Sequence, residues 1–402
     1  MNRYDVIIVG GGPAGLSAAY AAASGGLRVA IFERSKEIGY PIHTSGGSWI
    51  ADLKKLEIPD RFIHPIKRGI FLSPKARAEF FYDDPVSCIL DVRGLYQYLA
   101  VNAARAGAHI FTQAAVACAL EENGYPIGIS LNPPSRGDFF APLLIDASGM
   151  AGVLAMQFGL RQPYPRFGLG AEVDVVNDAW PAETIALLFG SMAGPAGYGW
   201  VFPHGDGRVR IGIGIIKPDT SAEPRALLNN LLKKREIAGL PFQASGKIES
   251  HVGSLPAIPP LQRASANGLM VAGDAGAMIS TLLGEGIRFA IAIGQMAGKV
   301  AVLAHEAGDF SARFLARYDR EWRREHGRLF EIGYLINKRL STYDDAKWNE
   351  KINLLSKIPA FAVPSLLRGE FDSAKIFRTL FSHPSLFKTI FSQKLKSLRQ
   401  SA

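Results

Sequence analysis

Residues 4–33 read YDVIIVGGGPAGLSAAYAAASGGLRVAIFE, and the fold turns on them. Tyr4 to Val9 is a short apolar run of the kind that makes a buried parallel strand. Gly10, Gly12 and Gly15 follow at GxGxxG spacing. The alanine-rich stretch to about Ser24 predicts a helix packed closely on a sheet, ended by Gly25-Gly26. A second strand, Arg28 to Phe32, stops at Glu33. Gly10 permits the tight turn, Gly12 lets a pyrophosphate approach the backbone, and Gly15 allows close helix–strand contact. The helix opens at Pro13-Ala14, where free N–H groups and a partial positive charge face the phosphates. Glu33, roughly 20 residues on, accepts hydrogen bonds from ribose hydroxyls, and its charge argues against a 2′-phosphate and so against NADP. Strand, glycines, helix, strand and acid in this order specify a dinucleotide site.

Val6 to Leu27 carries no charge, as in a signal peptide or a membrane span. A signal peptide needs a positive start, and Asp5 stands there instead. Six glycines and the strand-like RVAIFER argue against a span. The 402 residues suffice for two to three domains with a substantial core. Hydrophobic residues at 48% and charged residues at 20% indicate a globular protein. Cys88 and Cys118 form no CxxC, which excludes a redox dithiol, and two cysteines make no disulfide framework, so a cytoplasmic location is the default. The net charge of +9 admits an anionic partner, and its position decides which.

Along the chain, SKEIGYPIHTSGGSWI (35–50) is a loop, and 51–66 a short helix and connection. Alternation predicts a strand pair over 67–82. Ile89 to Arg93 enters a helix with Leu95, Tyr98, Leu99 and Val101 as its apolar residues. Hairpin-like strands follow, closing on a buried strand Leu143 to Ile145 and on Asp146 with Gly149. Residues 165–260 alternate like a mixed sheet, with a helix over 222–237. Gly268 to Ala275 is a buried strand ending at Gly273-Asp274, and TLLGEGIRFAIAIGQ begins a long apolar helix. The expected domains are 1–70 with 88–164 and 262–310, then 71–87 with 165–261, then a helical, basic 311–402.

The three glycine–acid stations, with Arg93 at a helix start between the first two, resemble the FAD-dependent family of p-hydroxybenzoate hydroxylase topology. The resemblance implies a Rossmann-like α/β domain of that type with a mixed-sheet substrate domain. It places the ADP half of FAD on Gly10, Gly12, Pro13, Ala14 and Gly15. Glu33 and Arg34 then flank the adenosine, and Thr44 lies in the loop beside the flavin. Arg93 reaches FAD phosphate or ribitol, Asp146 and Gly149 lie near the cofactor, and Gly273-Asp274 binds the ribitol. The helix start at Gly284, Gly286 and Ile287 would stabilise negative charge on reduced flavin. Taken singly, Asp146 also reads as a turn residue and Asp274 as a helix cap.

Tyr198-Gly-Trp200-Val-Phe202-Pro203, eight residues and then Gly212-Ile-Gly214 resemble the YxWxFP…GxG signature of the geranylgeranyl reductase family. PIHTSGG and GDAGAMISTLLGEGI resemble it too. This implies reduction of isoprenoid double bonds. Tyr198, Trp200 and Phe202 share one strand face and suit an apolar chain lying against the flavin; ordinary sheet core is the plainer reading. Family members often carry PxxC where this chain has Pro41-Ile42-His43-Thr44, and often a proline at Thr281. His43 and His204 are candidate proton donors, or solvated turn residues. With one dinucleotide fingerprint occupied by FAD, NADPH, ferredoxin or another donor must dock transiently or reduce the flavin from outside. No metal site is expected.

Residues 311–330 and 373–400 mix Arg and Lys with aromatics at helical spacing. They suit either an anionic membrane surface or a packed helix with a solvated basic face. No motif favours nucleic acid. The competing functions are a flavin monooxygenase acting on an aromatic or polyketide, and a non-enzymatic flavin binder. A halogenase would carry WxWxIP, which is absent here.

Overall fold

The computed structural model describes residues 2–133 and 137–370. The strand Val6–Val9 is buried throughout and lies inside a six-stranded sheet. Its parallel neighbours are Val29–Phe32 and Leu143–Asp146. His109–Phe111 extends one side, and Leu269–Val271 the other, with antiparallel Ser265–Ala266 at the edge. Helices Pro13–Ser24, Val92–Arg105 and Ile287–Ala307 cover one face. A three-stranded meander, Val116–Glu122, Tyr125–Leu131 and Asp138–Phe140, covers the other and buries Ile129, Leu131 and Phe139 against Ile7 and Phe32. Burial on both faces is what makes these strands continuously apolar.

Two helices approach unusually closely because their contact residues are small. A Cβ on Gly294 would fall 2.2 Å from the carbonyl oxygen of Ala14, and one on Gly298 would fall 2.3 Å from that of Ala18. The helix Ile287–Ala307 is long and apolar enough to cross a membrane, yet 72% of its most apolar window is buried inside the protein.

A seven-stranded sheet stands beside this layer, in the order Ser245–Pro256, Phe167–Val176, Arg208–Lys217, Gly197–Pro203, Thr184–Phe189, Arg68–Ser73, Ala76–Phe81. It is mixed: Thr184–Phe189 and Arg68–Ser73 run parallel, and the other pairs run antiparallel. The expected hairpin over 67–82 is its edge. Helix Ala312–Trp322 packs Leu315, Tyr318 and Trp322 on the first core. Helix Asp345–Leu355 packs Trp348 and Ile352 on the second, with Trp348 stacked on Phe189 at 4.5 Å between centroids.

Several boundaries differ from expectation. The helix predicted over 222–237 spans Pro224–Leu232, and a small hairpin, Glu236–Ile237 with Leu240–Pro241, replaces its end. The last apolar helix starts at Ile287, because 281–286 forms a tight turn held by paired Ser280 and Glu285 backbones. Val101 is 44% exposed, whereas Leu95 and Leu99 are buried. The basic stretch 373–400 lies outside the described residues.

Candidate active site

Strand pairing sets side chains in rows across the seven-stranded sheet, and successive rows on one face are two residues apart. One row reads His251, Glu172, Gly212, Trp200, Leu187, Phe71. The next reads Gly253, Gly170, Gly214, Tyr198, Phe189. On the other side of the first lie Glu249, Asp174, Arg210 and Phe202. This face therefore grades from charged to aromatic and bare backbone.

The glycines make room for the aromatics. A Cβ on Gly212 would fall 2.3 Å from Cζ2 of Trp200, and one on Gly214 would fall 3.2 Å from its Cζ3. The indole thus lies across both, and its Nε1–H reaches Glu172 Oε2 at 3.0 Å. Tyr198 and Phe202 flank it, with ring centroids 5.7 and 6.3 Å away. The Tyr198 hydroxyl donates to the carbonyl of Leu283 at 2.5 Å, tying the sheet to the turn before the long helix.

Tyr198, Trp200 and Glu172 line a cavity of about 450 Å³. Gly12, Gly273, Asp274 and Gly286 line its far side. Phe202 instead lines an adjoining cavity of about 110 Å³, which shares Tyr198 and Gly284 with the first. Two helices begin here without a side-chain cap, at Gly12 and at Gly286, so free backbone N–H groups are available to a ligand.

These residues fit FAD. Gly10 has φ +107°, and a Cβ there would fall 2.2 Å from the Ala147 carbonyl oxygen. A Cβ on Gly15 would fall 2.0 Å from the Gly10 oxygen, which is the close helix–strand contact expected of it. A Cβ on Gly12 meets nothing within 4 Å, so that position opens a cradle. Asp274 is held by its backbone, since the Tyr164 hydroxyl donates to the carbonyls of Asp274 and Ala275 at 2.7 and 2.8 Å. Its carboxylate has no hydrogen-bond partner among the described residues, and burial pushes its pKa up to about 6. A carboxylate left without donors on a cavity wall suits a polyhydroxyl chain.

The other expected cofactor residues differ in how they stand to the cavity. The Asp146 carboxylate is fully buried and accepts from the backbone N–H groups of Ser148, Leu154 and Ala155 and from the Ser148 hydroxyl. It is a turn and helix-start clamp, and its neighbour Gly149 is what lines the cavity. Arg93 is half-exposed, pairs with Glu37 at 2.9 Å, lies over the Tyr40 ring, and does not line the cavity. Arg34 is exposed and does not line it either. Glu33 accepts from the N–H groups of Gly11 and Ser35, both at 2.7 Å, and so stands beside the glycine turn. Thr44 and His43 do line the cavity, with His43 Nδ1 bonded to the Val252 carbonyl at 3.0 Å.

Sequence reading missed the charged rows. Arg210 donates to both oxygens of Asp174, at 2.7 and 2.9 Å, with burial at 3% and 0% exposure. It also donates to the Ser45 carbonyl at 3.2 Å, pinning the loop over the cavity. Asp174, Glu249 and His251 lie close enough to share an ion, but both Asp174 oxygens are already held by Arg210. The signal was present: Glu172, Asp174 and Arg210 have the same strand parity as Gly170 and Gly212, so they face the cavity side.

Residues 5–159 match the FAD dependent oxidoreductase family. Fold and cavity together define an FAD-dependent oxidoreductase. Residues 170–253, which carry the glycine and aromatic rows, match the geranylgeranyl reductase catalytic domain. The chain is 31% identical to digeranylgeranylglycerophospholipid reductase 2 of Methanothermobacter thermautotrophicus, covering 94% of this chain and 99% of that one. It belongs to the geranylgeranyl reductase family. A geranylgeranyl bacteriochlorophyll reductase-like protein from Thermoplasma acidophilum has the same fold, with TM-score 0.82, 24% identity and coverage of 98% and 99% of the two chains. So does a single-residue mutant of the halogenase PltM in complex with FAD, with TM-score 0.70, 16% identity and coverage of 95% and 84%.

Proposed function

We propose that this enzyme saturates carbon–carbon double bonds of a geranylgeranyl or longer polyprenyl lipid. Bound FAD, once reduced, supplies the hydride. The observation that carries the reading is the row Tyr198–Trp200 laid over Gly212 and Gly214 inside the cavity. Such a surface is flat, apolar and long, and it can hold an unactivated alkene in a near-attack position, which a weak hydride acceptor requires. The loop 43–46, pinned by Arg210, helps keep water out. The family membership supports the same substrate class, and the relative's name refers to a lipid with two such chains. NADPH or ferredoxin reduces the flavin from outside, and the enzyme works at a membrane surface where such lipids reside.

The test is anaerobic. The holoenzyme is reduced with dithionite and mixed with geranylgeranyl lipid or diphosphate. Flavin reoxidation, with two mass units gained per bond, is the expected result. Reoxidation only after oxygen is admitted would instead indicate a monooxygenase.

A further inference from the structure

Saturating an alkene needs a proton as well as a hydride, and neither candidate histidine from the sequence is well placed to give one. His43 lines the cavity but is exposed, so solvent competes for its proton. His204 has its pKa pushed down to about 4, mainly by burial and then by Arg210, so it is neutral at pH 7. The cavity wall offers another group. Glu172 is 5% exposed, lines the cavity, and is the carboxylate that Trp200 holds. Behind it, His251 is 4% exposed with Nδ1 3.2 Å from Glu172 Oε1. Its Nε2 lies 3.3 Å from Glu249 Oε2, an ion-pair contact without hydrogen-bond geometry, and the Glu249 side chain is 32% exposed. Two neighbouring strands thus carry a file of groups, Glu249, His251 and Glu172, from solvent to cavity.

Resting on the reductase reading, we propose that Glu172 is the proton donor to the substrate and that His251 is the positioning residue that recharges it. The carboxyl O–H of Glu172 breaks as a C–H bond forms on the alkene carbon that does not receive the hydride. The two electrons of the alkene π bond form that C–H bond, while the hydride brings the pair for the other. Glu172, left as carboxylate, takes the Nδ1 proton of the His251 imidazolium. The ring is left with its Nε2–H facing Glu249 and regains the Nδ1 proton from bulk water admitted at that end, so each bond reduced consumes one solvent proton. Trp200 fixes the carboxylate through Oε2 and leaves Oε1 toward His251.

The electrostatics agree. Burial works against charge on His251, but the hydrogen bond to Glu172 and the nearby carboxylates outweigh it, and its pKa is raised. The groups facing the pair are Asp174, two residues along the strand from Glu172, Arg210 with Nε 3.8 Å from Glu172 Oε1, Glu249 and the neutral His204. Arg210 works against charge on His251, but it is itself paired with Asp174, and the net shift of His251 is upward.

The experiment is the anaerobic single turnover across pH 6–9 with Glu172→Gln, Glu172→Asp and His251→Gln. Glu172→Gln keeps shape and still accepts from Trp200. It should retain FAD and dithionite reduction while slowing substrate-driven reoxidation about a hundredfold or more, the usual scale of a lost general acid. Glu172→Asp should recover part of the rate. The parent rate should fall as pH rises and the pair loses its proton, and His251→Gln should flatten that profile. If the parent turns over and Glu172→Gln matches it within threefold, the proposal is wrong. A parent-like pH profile in His251→Gln also overturns it. If Glu172→Gln loses FAD, Glu172→Asp and the His251→Gln profile decide. A parent that does not turn over removes the reductase reading first, and this proposal with it.

Discussion

Asp274 lines the cavity, its carboxylate without a hydrogen-bond partner among the described residues, and burial lifts its pKa to about 6. Hydroxyl donors from a bound ribitol favour the ionised form, so FAD affinity should weaken as pH falls through about 6. Asp274→Asn should bind FAD roughly tenfold to a hundredfold more weakly, the loss of a hydrogen bond to a charged group, with a flat pH dependence. Flavin-fluorescence titration at several pH values checks both. Asp274 and Asp146 show how far a residue can be read in isolation. Both follow an apolar strand and sit by a glycine, and both were expected at the cofactor. Asp146 turns inward because the helix start at Val153 presents N–H groups within its reach, while Asp274 meets no such donors among the described residues. Local sequence cannot say which way such a carboxylate turns, since the deciding donors lie 8 and 9 residues further on.

At the scale of elements, the opening βαβ unit was legible because its strands, helix and glycines follow one another in sequence, although the contact that bars a side chain from Gly10 comes from Ala147 outside it. The partner of its helix was not, because Gly294 and Gly298 lie some way off in sequence and read only as small residues in an apolar run. Their spacing lets Ile287–Ala307 cross Pro13–Ser24 backbone to backbone. Gly298→Val would drive a side chain into the Ala18 carbonyl, at a cost of about 1–3 kcal/mol. A lowered urea midpoint with an unchanged slope is the expected reading. The seven-stranded sheet was legible as strands and as one aromatic row. Its strand order was hidden, and with it the meeting of Glu172, His251 and Arg210 from three separate strands.

For the whole molecule, two histidines of one charge network shift in opposite directions, and stability follows. His204 has a folded pKa near 4, below its unfolded value of about 6.5. The unfolded chain therefore binds a proton first on acidification, and stability falls from pH 6.5 toward 4. His251 is raised, so its contribution is complete below about 6.5 and is lost as pH climbs through its folded pKa. Thermal midpoints should thus show His204→Gln less acid-sensitive than the parent, and His251→Gln less sensitive on the alkaline side. The seating of the Trp200 indole on the backbone of Gly212 and Gly214 has a different consequence. The ring is already fixed by that backbone and by its bond to Glu172, so a flexible guest settling on it gives up conformational entropy on its own account only. The sheet is therefore a ready-made template: its shape is set when the chain folds, and guests differing in length or saturation meet the same floor.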